Sequence, residues 1–195
     1  MHLALDLSLK CSGWAKFSKD GRLIDRGRIS PSPDLDNCMK IHYITTKIRD
    51  LFVGVEYLVI EDLFYGKNFL SVKWLARLSG AVATAWVDYK YTIPKFYTAS
   101  QARKLAGVNG RSHKAEVQIF ILTKYKFAKP KKLKSYQTKI DELKDLFGKK
   151  EIKKGSFKYQ LDKLSKQIDK DTKIGEDIAD SIILGLAYKK EKDKK

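Results

Sequence analysis

Cysteine, histidine and proline are scarce in this chain. The two cysteines, Cys11 and Cys38, sit outside any C-x-x-C or Cys/His spacing, which argues against a disulfide framework and a structural zinc site. His2, His42 and His113 share no metal-ligand spacing. No apolar run approaches the roughly 18 residues that a membrane span needs, and the N-terminus lacks the basic-then-apolar-then-small pattern of a secretory leader. The expectation is a soluble, cytoplasmic chain with no membrane partner. A G-x-x-x-x-G-K-[ST] loop is also missing, so no nucleotide cofactor is implied. Acids are the minority charge: 23 Asp and Glu stand against 40 Lys and Arg in 195 residues, a formal charge of +17.

That positive charge is unevenly placed. Residues 126–173 hold 16 lysines and 7 acids, and residues 189–195 hold 5 lysines and 2 acids, which leaves 19 bases and 14 acids for the other 140 residues. A near-balanced body with concentrated basic patches favours a polyanionic partner, because neutralised phosphates release condensed counterions. For the extreme tail, a solubilising role stands equally. A hydrophobic content of 43% is too high for wholesale disorder, and the length suits one domain, or one with an insertion.

The N-terminal third reads as a three-strand meander. Residues 2–9 alternate, with Leu3, Leu5 and Leu7 on one face and Ala4, Asp6 and Ser8 on the other; residues 13–18 and 22–29 are two further strands joined at Asp20-Gly21. After Ser30-Pro31-Ser32-Pro33, Asp34 or Asp36 caps a helix with Ile41, Ile44, Ile48 and Leu51 on one stripe. Residues 57–60 form an apolar strand of the kind covered on both faces. A long helix is predicted over 71–89, a fifth strand over 92–97, and helices over 101–105 and 114–125. The order β-β-β-α-β-α-β-α predicts a mixed α/β sheet of five strands flanked by helices. In residues 126–173, Ile140, Leu143 and Phe147 give one helical stripe and Phe157, Leu161, Leu164 and Ile168 a second, which predicts an inserted basic helical hairpin. A last helix is expected over 175–188. The domain expectation is one unit over 1–189, including the 126–173 insertion, with a lysine-rich tail over 190–195.

Four carboxylates stand where carboxylates are costly. Asp6 interrupts an apolar alternating strand, where burying a lone charge costs several kcal/mol. Glu61 ends the run Leu58-Val59-Ile60, at the carboxyl end of a strand, where ligands collect in α/β sheets. Asp177 and Asp180 lie three apart on an otherwise apolar helix and share a face. Taken alone, Asp177 reads as a first-turn acid favoured by the helix dipole. Glu61 has the alternative of salt-bridging a lysine, and Asp62 reads as a solvated strand-end acid. Asp6 and Asp180 are harder to explain structurally. Converging acids repel and raise one another's pKa, which divalent cations resolve. Oxygen-rich sites suit Mg²⁺ or Mn²⁺, and two ions about 4 Å apart can activate a water and stabilise the leaving oxygen in phosphodiester hydrolysis. The expectation is a metal-dependent nuclease.

These residues resemble a known family. Asp6-Leu7-Ser8-Leu9-Lys10-Cys11-Ser12-Gly13-Trp14 is similar to the first motif of the RuvC-type Holliday junction resolvases, within the RNase H-like superfamily. Ile60-Glu61-Asp62-Leu63-Phe64-Tyr65-Gly66-Lys67-Asn68 resembles their second motif, and Glu176-Asp177-Ile178-Ala179-Asp180-Ser181 their final D-x-A-D. Residues 1–125 and 174–189 are covered in order. The first motif departs from the family in having Leu7-Ser8 where Pro-Gly is usual. The 126–173 insertion is absent from the compact cellular enzymes, which makes phage-type relatives the closer comparison.

The resemblance implies an RNase H-like fold and a homodimer that nicks opposing strands of a four-way junction. It further implies two Mg²⁺ or Mn²⁺ ions held by Asp6, Glu61, Asp177 and Asp180. Phe64 matches the aromatic that wedges into the opened junction, and Lys67 and Asn68 complete that motif as DNA contacts. Tyr65 and Phe69 read better as caps on the core. Lys104 and Lys114 fall where the family places basic residues near the scissile phosphate, with Arg103, Arg111 and His113 flanking them. Lys114 is the expected catalytic cation, and Lys104 and Arg111 are expected DNA contacts. The small-residue stripe Ala76, Gly80, Ala83 suits either a two-fold interface or packing on the chain's own sheet. Other branched DNAs are further expected substrates. Two other readings stay open: a structure-selective DNA binder without turnover, and an RNase H-like nuclease for RNA:DNA hybrids.

Overall fold

A computed structural model describes residues 1–63 and 69–194 of the chain. Five strands, β1 (His2–Asp6), β2 (Ser12–Phe17), β3 (Leu23–Ile29), β4 (Tyr57–Glu61) and β5 (Lys95–Tyr97), form one sheet in the order β3-β2-β1-β4-β5. The first three pair antiparallel, and β1–β4 and β4–β5 pair parallel, giving the mixed α/β sheet expected from the element order. Helices α1 (Asn37–Asp50), α2 (Phe69–Lys90), α3 (Ala99–Ala106), α4 (Lys114–Lys124), α5 (Pro130–Gly148), α6 (Lys154–Thr172) and α7 (Glu176–Lys192) complete the described elements. Among the described residues no helix is long and apolar enough to cross a membrane.

The chain divides into two compact units, Met1–Gly110 with Asp180–Lys195, and Arg111–Ala179. In the first, the alternation of β1 sends Leu3 and Leu5 to one sheet face, where Leu58 and Ile60 of β4 join them. Ile44 and Ile48 of α1 and Leu78, Val82 and Trp86 of α2 cover that face. Phe52 meets Trp86 edge-on with ring centroids 5.1 Å apart. Asp36 is the residue that caps α1, its Oδ1 accepting from the Met39 N–H at 2.9 Å. Strand β5 is shorter than its expected span, because Thr92 turns away to accept from the Trp86 indole N–H at 3.1 Å.

The other sheet face carries His2, Ala4 and Asp6. Its partner is the C-terminal part of α7. His2 stacks on Phe17 at 4.8 Å, meets the Tyr188 ring at 5.0 Å, and places Nε2 3.1 Å from the Gly185 carbonyl. Helix and sheet touch here because residue 185 is glycine: a Cβ would run into the Phe17 ring.

The second unit is helical. Gln118 of α4 is fully buried and joins the helices by donating to the Ile174 carbonyl at 2.8 Å and accepting from the Ser165 hydroxyl at 2.7 Å. Helices α5 and α6 form the expected hairpin, with Ile140, Leu143, Leu161, Leu164 and Ile168 buried and Phe147 stacked on Phe157 at 4.7 Å. All 16 lysines of 126–173 are exposed.

Candidate active site

The site starts from two strand ends. β1 finishes at Asp6 and β4 at Glu61, and the parallel register sets Leu5 beside Ile60. One further step puts Asp6 beside Glu61. Partners in a parallel pair project to the same side of the sheet, on strands about 4.8 Å apart. Two carboxylates from residues far apart in the chain therefore stand next to each other, both half-buried. Their face is the one that α7 covers.

Helix α7 brings the third acid. Tyr188 packs against His2 and Tyr57, at the starting ends of β1 and β4. Asp180 lies eight residues earlier, about 12 Å along a helix, and Asp6 lies four residues beyond His2, about 13 Å along a strand. α7 thus carries Asp180 toward the sheet end where Asp6 and Glu61 stand. A second contact agrees with this placement. Tyr97 pairs with Glu61, and α3 starts two residues after it, so α3 sits at the same end. Arg103 of α3 donates from Nη2 to the Asp180 Oδ1 at 3.1 Å, with both side chains 15% exposed.

Arg103, a mere flank of Lys104 and Lys114 by sequence, is the base that reaches Asp180. Lys104, expected as the DNA contact, points to solvent. A signal was present. The Thr98–Gln101 capping box starts α3 at Ala99, and Gly107, at φ +92°, ends it. Within those bounds Arg103 lies one turn before buried Ala106 and next to buried Ala102, on the inward face.

In the second unit, Asp177 stands in the first turn of α7, next to Glu176. Lys114, the first residue of α4, donates to Glu176 Oε2 at 2.6 Å. His113 caps α4: its Nδ1 accepts from the Ala115 N–H at 3.4 Å, and its own N–H donates to Glu116 Oε2 at 2.7 Å. Its Nε2 lies 3.1 Å from Asp162. Burial, the largest influence, lowers the His113 pKa despite that carboxylate. Arg111 is exposed. Phe64, Tyr65, Lys67 and Asn68 lie outside the described residues. On α2, Ala76 and Gly80 are exposed, Ala83 is half-buried, and a Cβ at Gly80 would meet nothing within 4 Å.

Among the described residues no group of three or more His, Cys, Asp or Glu side chains stands close enough to hold a metal ion. The donor chemistry nevertheless fits a hard divalent cation. Asp6 and Glu61 are an all-oxygen pair set side by side, and Asp180 already draws a cation, the Arg103 guanidinium. All-oxygen donors suit Mg²⁺ or Mn²⁺ better than softer metals.

A five-stranded 3-2-1-4-5 sheet with helices on its faces is an RNase H-like fold. The model of the family described as crossover junction endodeoxyribonuclease RuvC matches residues 4–136, and the chain belongs to that family. Two solved structures share the fold. One is described as Thermus thermophilus RuvC in complex with a Holliday junction substrate; it is 11% identical, with a TM-score of 0.61, covering 99% of this chain and 94% of that one. The other, a Thermus thermophilus RuvC structure, is 16% identical, with a TM-score of 0.56, covering 99% of this chain and 95% of that one. No curated protein matches the chain in sequence.

Proposed function

We propose that the chain is a metal-dependent endonuclease that resolves four-way DNA junctions, and accepts other branched DNA, by paired nicking in the cytoplasm of a bacterial or phage-infected cell. The observation that carries the proposal is the parallel register of β1 and β4, with Leu5 opposite Ile60 one residue before the strand-end acids Asp6 and Glu61, in a chain of the RuvC family. Asp180 on α7, and Asp177 one turn earlier, complete the ligand set. Divalent cations held there would supply an activated water and neutralise charge on the scissile phosphate.

The protein's own groups do the rest. The Lys114 ammonium, which donates to Glu176, is the cation we assign to stabilise developing negative charge on the phosphate. Arg103 holds the Asp180 carboxylate in position. Small residues Ala76 and Gly80, exposed on α2, support a homodimer, and a two-fold dimer matches a substrate with two equivalent strands. Residues 1–189 are read as one nuclease domain in which 126–173 is an insertion of phage-type relatives and 190–195 a basic tail.

The test is Asp6→Asn on a labelled four-way junction with Mg²⁺ or Mn²⁺, beside flap, linear duplex and RNA:DNA hybrid. The expected result is loss of nicking by at least a thousandfold with junction binding retained. Wild-type cutting by Asp6→Asn ends the proposal. A gel shift without nicking by the wild type makes the chain a binder, and preference for the hybrid makes it an RNase H-like enzyme.

A further inference from the structure

We infer that the groove between α5 and α6 binds a single, unpaired DNA strand, with Tyr159 as the platform for one base. This rests on the reading that the chain acts on branched DNA, whose junctions and ends expose unpaired nucleotides.

The groove has a volume of about 650 Å³. Tyr159 lines it with 69% of its surface exposed, whereas two other rings of the hairpin, Phe147 and Phe157, are stacked on each other. A large aromatic left in water on a helix whose other apolar side chains are mostly buried needs a partner outside the hairpin. The charges say which kind. Lys139 on α5 and Lys163 on α6 line the same groove from opposite walls, and neither makes an ion pair among the described residues. Lys163 lies one helical turn after Tyr159, on the same face. An ammonium on each wall and an exposed aromatic on one of them is the arrangement that tracks a phosphate backbone while a base stacks.

The polar lining fits a base edge. Gln160 and Gln167 offer amide donors and acceptors, and Glu142, the one acid in the groove, can accept from an exocyclic amine. A base can stack on the Tyr159 ring only when its face is free, and in a duplex that face is already stacked on its neighbours. The wider surface of the hairpin, where all 16 lysines of 126–173 are exposed, supplies long-range attraction. The groove adds a preference for single strands.

The experiment titrates full-length protein, in EDTA so that no cleavage occurs, against labelled twelve-nucleotide oligo-dT and a labelled blunt duplex of equal length. The variants are Tyr159→Ala, Tyr159→Phe and the double variant Lys139→Ala/Lys163→Ala. Tyr159→Ala is expected to weaken oligo-dT binding about tenfold, the effect of removing one base–aromatic stack, and to leave duplex binding within about twofold. Tyr159→Phe keeps the ring and retains wild-type affinity. The double variant flattens the slope of log K against log salt by about 1.4, at roughly 0.7 for each single-strand phosphate released. Wild-type oligo-dT binding by Tyr159→Ala overturns the inference, as does an equal loss of duplex binding. Because no metal or nicking enters the measurement, failure here is distinct from failure of the nuclease reading, which the Asp6→Asn assay decides.

Discussion

Acidification is expected to loosen the seat of α7 through His2. The imidazole lies in the sheet face beneath α7, stacked on Phe17 and 3.1 Å from the Gly185 carbonyl. Burial lowers its pKa to about 4, helped by the N-terminal amino group, Lys192 and Lys189, although the bond to Gly185 opposes the shift. In the unfolded chain the group returns to about 6.5. A histidine depressed on folding is neutral in the native state, so the unfolded state binds the proton first. Its contribution is fully present above about pH 6.5 and declines as pH falls toward 4. At about 1.4 kcal/mol per pH unit, the protein loses about 2.5 kcal/mol by pH 4.5, a large fraction of a typical stability of about 5–15 kcal/mol.

His2→Phe isolates this effect. The variant keeps a ring on Phe17 and loses one hydrogen bond, at a cost of about 1 kcal/mol at neutral pH. Urea unfolding followed by the fluorescence of buried Trp86, repeated from pH 7.5 to 4.5, should show the variant less stable at the start and more stable at the end. The curves should cross a little below pH 6. Parallel curves, or a folded-state His2 that titrates near 6.5 by NMR, would refute the reasoning. Because α7 also carries Asp180, junction nicking should fall over the same interval in the wild type more steeply than in the variant.

Three further outcomes are expected. Gly185→Ala forces a methyl into the Phe17 ring; overpacking of this kind costs about 1–3 kcal/mol, and a thermal melt should show the lowered Tm together with reduced nicking. Gln118→Leu removes the buried bonds to Ile174 and Ser165 and leaves their polar atoms unsatisfied. Urea unfolding should record a loss of about 2 kcal/mol, and an unchanged midpoint would show that the helical unit does not depend on this link. Arg103→Gln leaves Asp180 without its guanidinium, so added Mg²⁺ should raise the Tm of this variant more than that of the wild type; equal shifts would mean that Asp180 does not meet the metal.

Much of this architecture is legible in local pattern. The alternation of residues 2–7 predicts which face of β1 enters the core, and Leu3, Leu5 and Leu7 are buried there. The stripes of α1 and of the 126–173 hairpin predict buried Ile44, Ile48, Ile140, Leu143, Leu161, Leu164 and Ile168. These features are local because periods of 2 and 3.6 residues decide which side chains share a face. The cost of carboxylates in apolar segments likewise marks Asp6, Glu61 and Asp180 before any fold is known.

What lies between distant segments was not legible there. Composition does not state that β1 takes β4 as its parallel neighbour, in the register that sets Asp6 beside Glu61. Two adjacent bases on α3 look alike in sequence, yet Arg103 turns inward to Asp180 and Lys104 outward to solvent. His2 reads as a strand-start histidine, and only the arrival of Gly185 and Tyr188 buries it. The sequence by itself determined which residues are apolar, charged and periodic; the tertiary structure alone decided which of them meet. The physical reason is that long-range pairing depends on register and helix orientation, which the whole chain settles together and no single segment encodes.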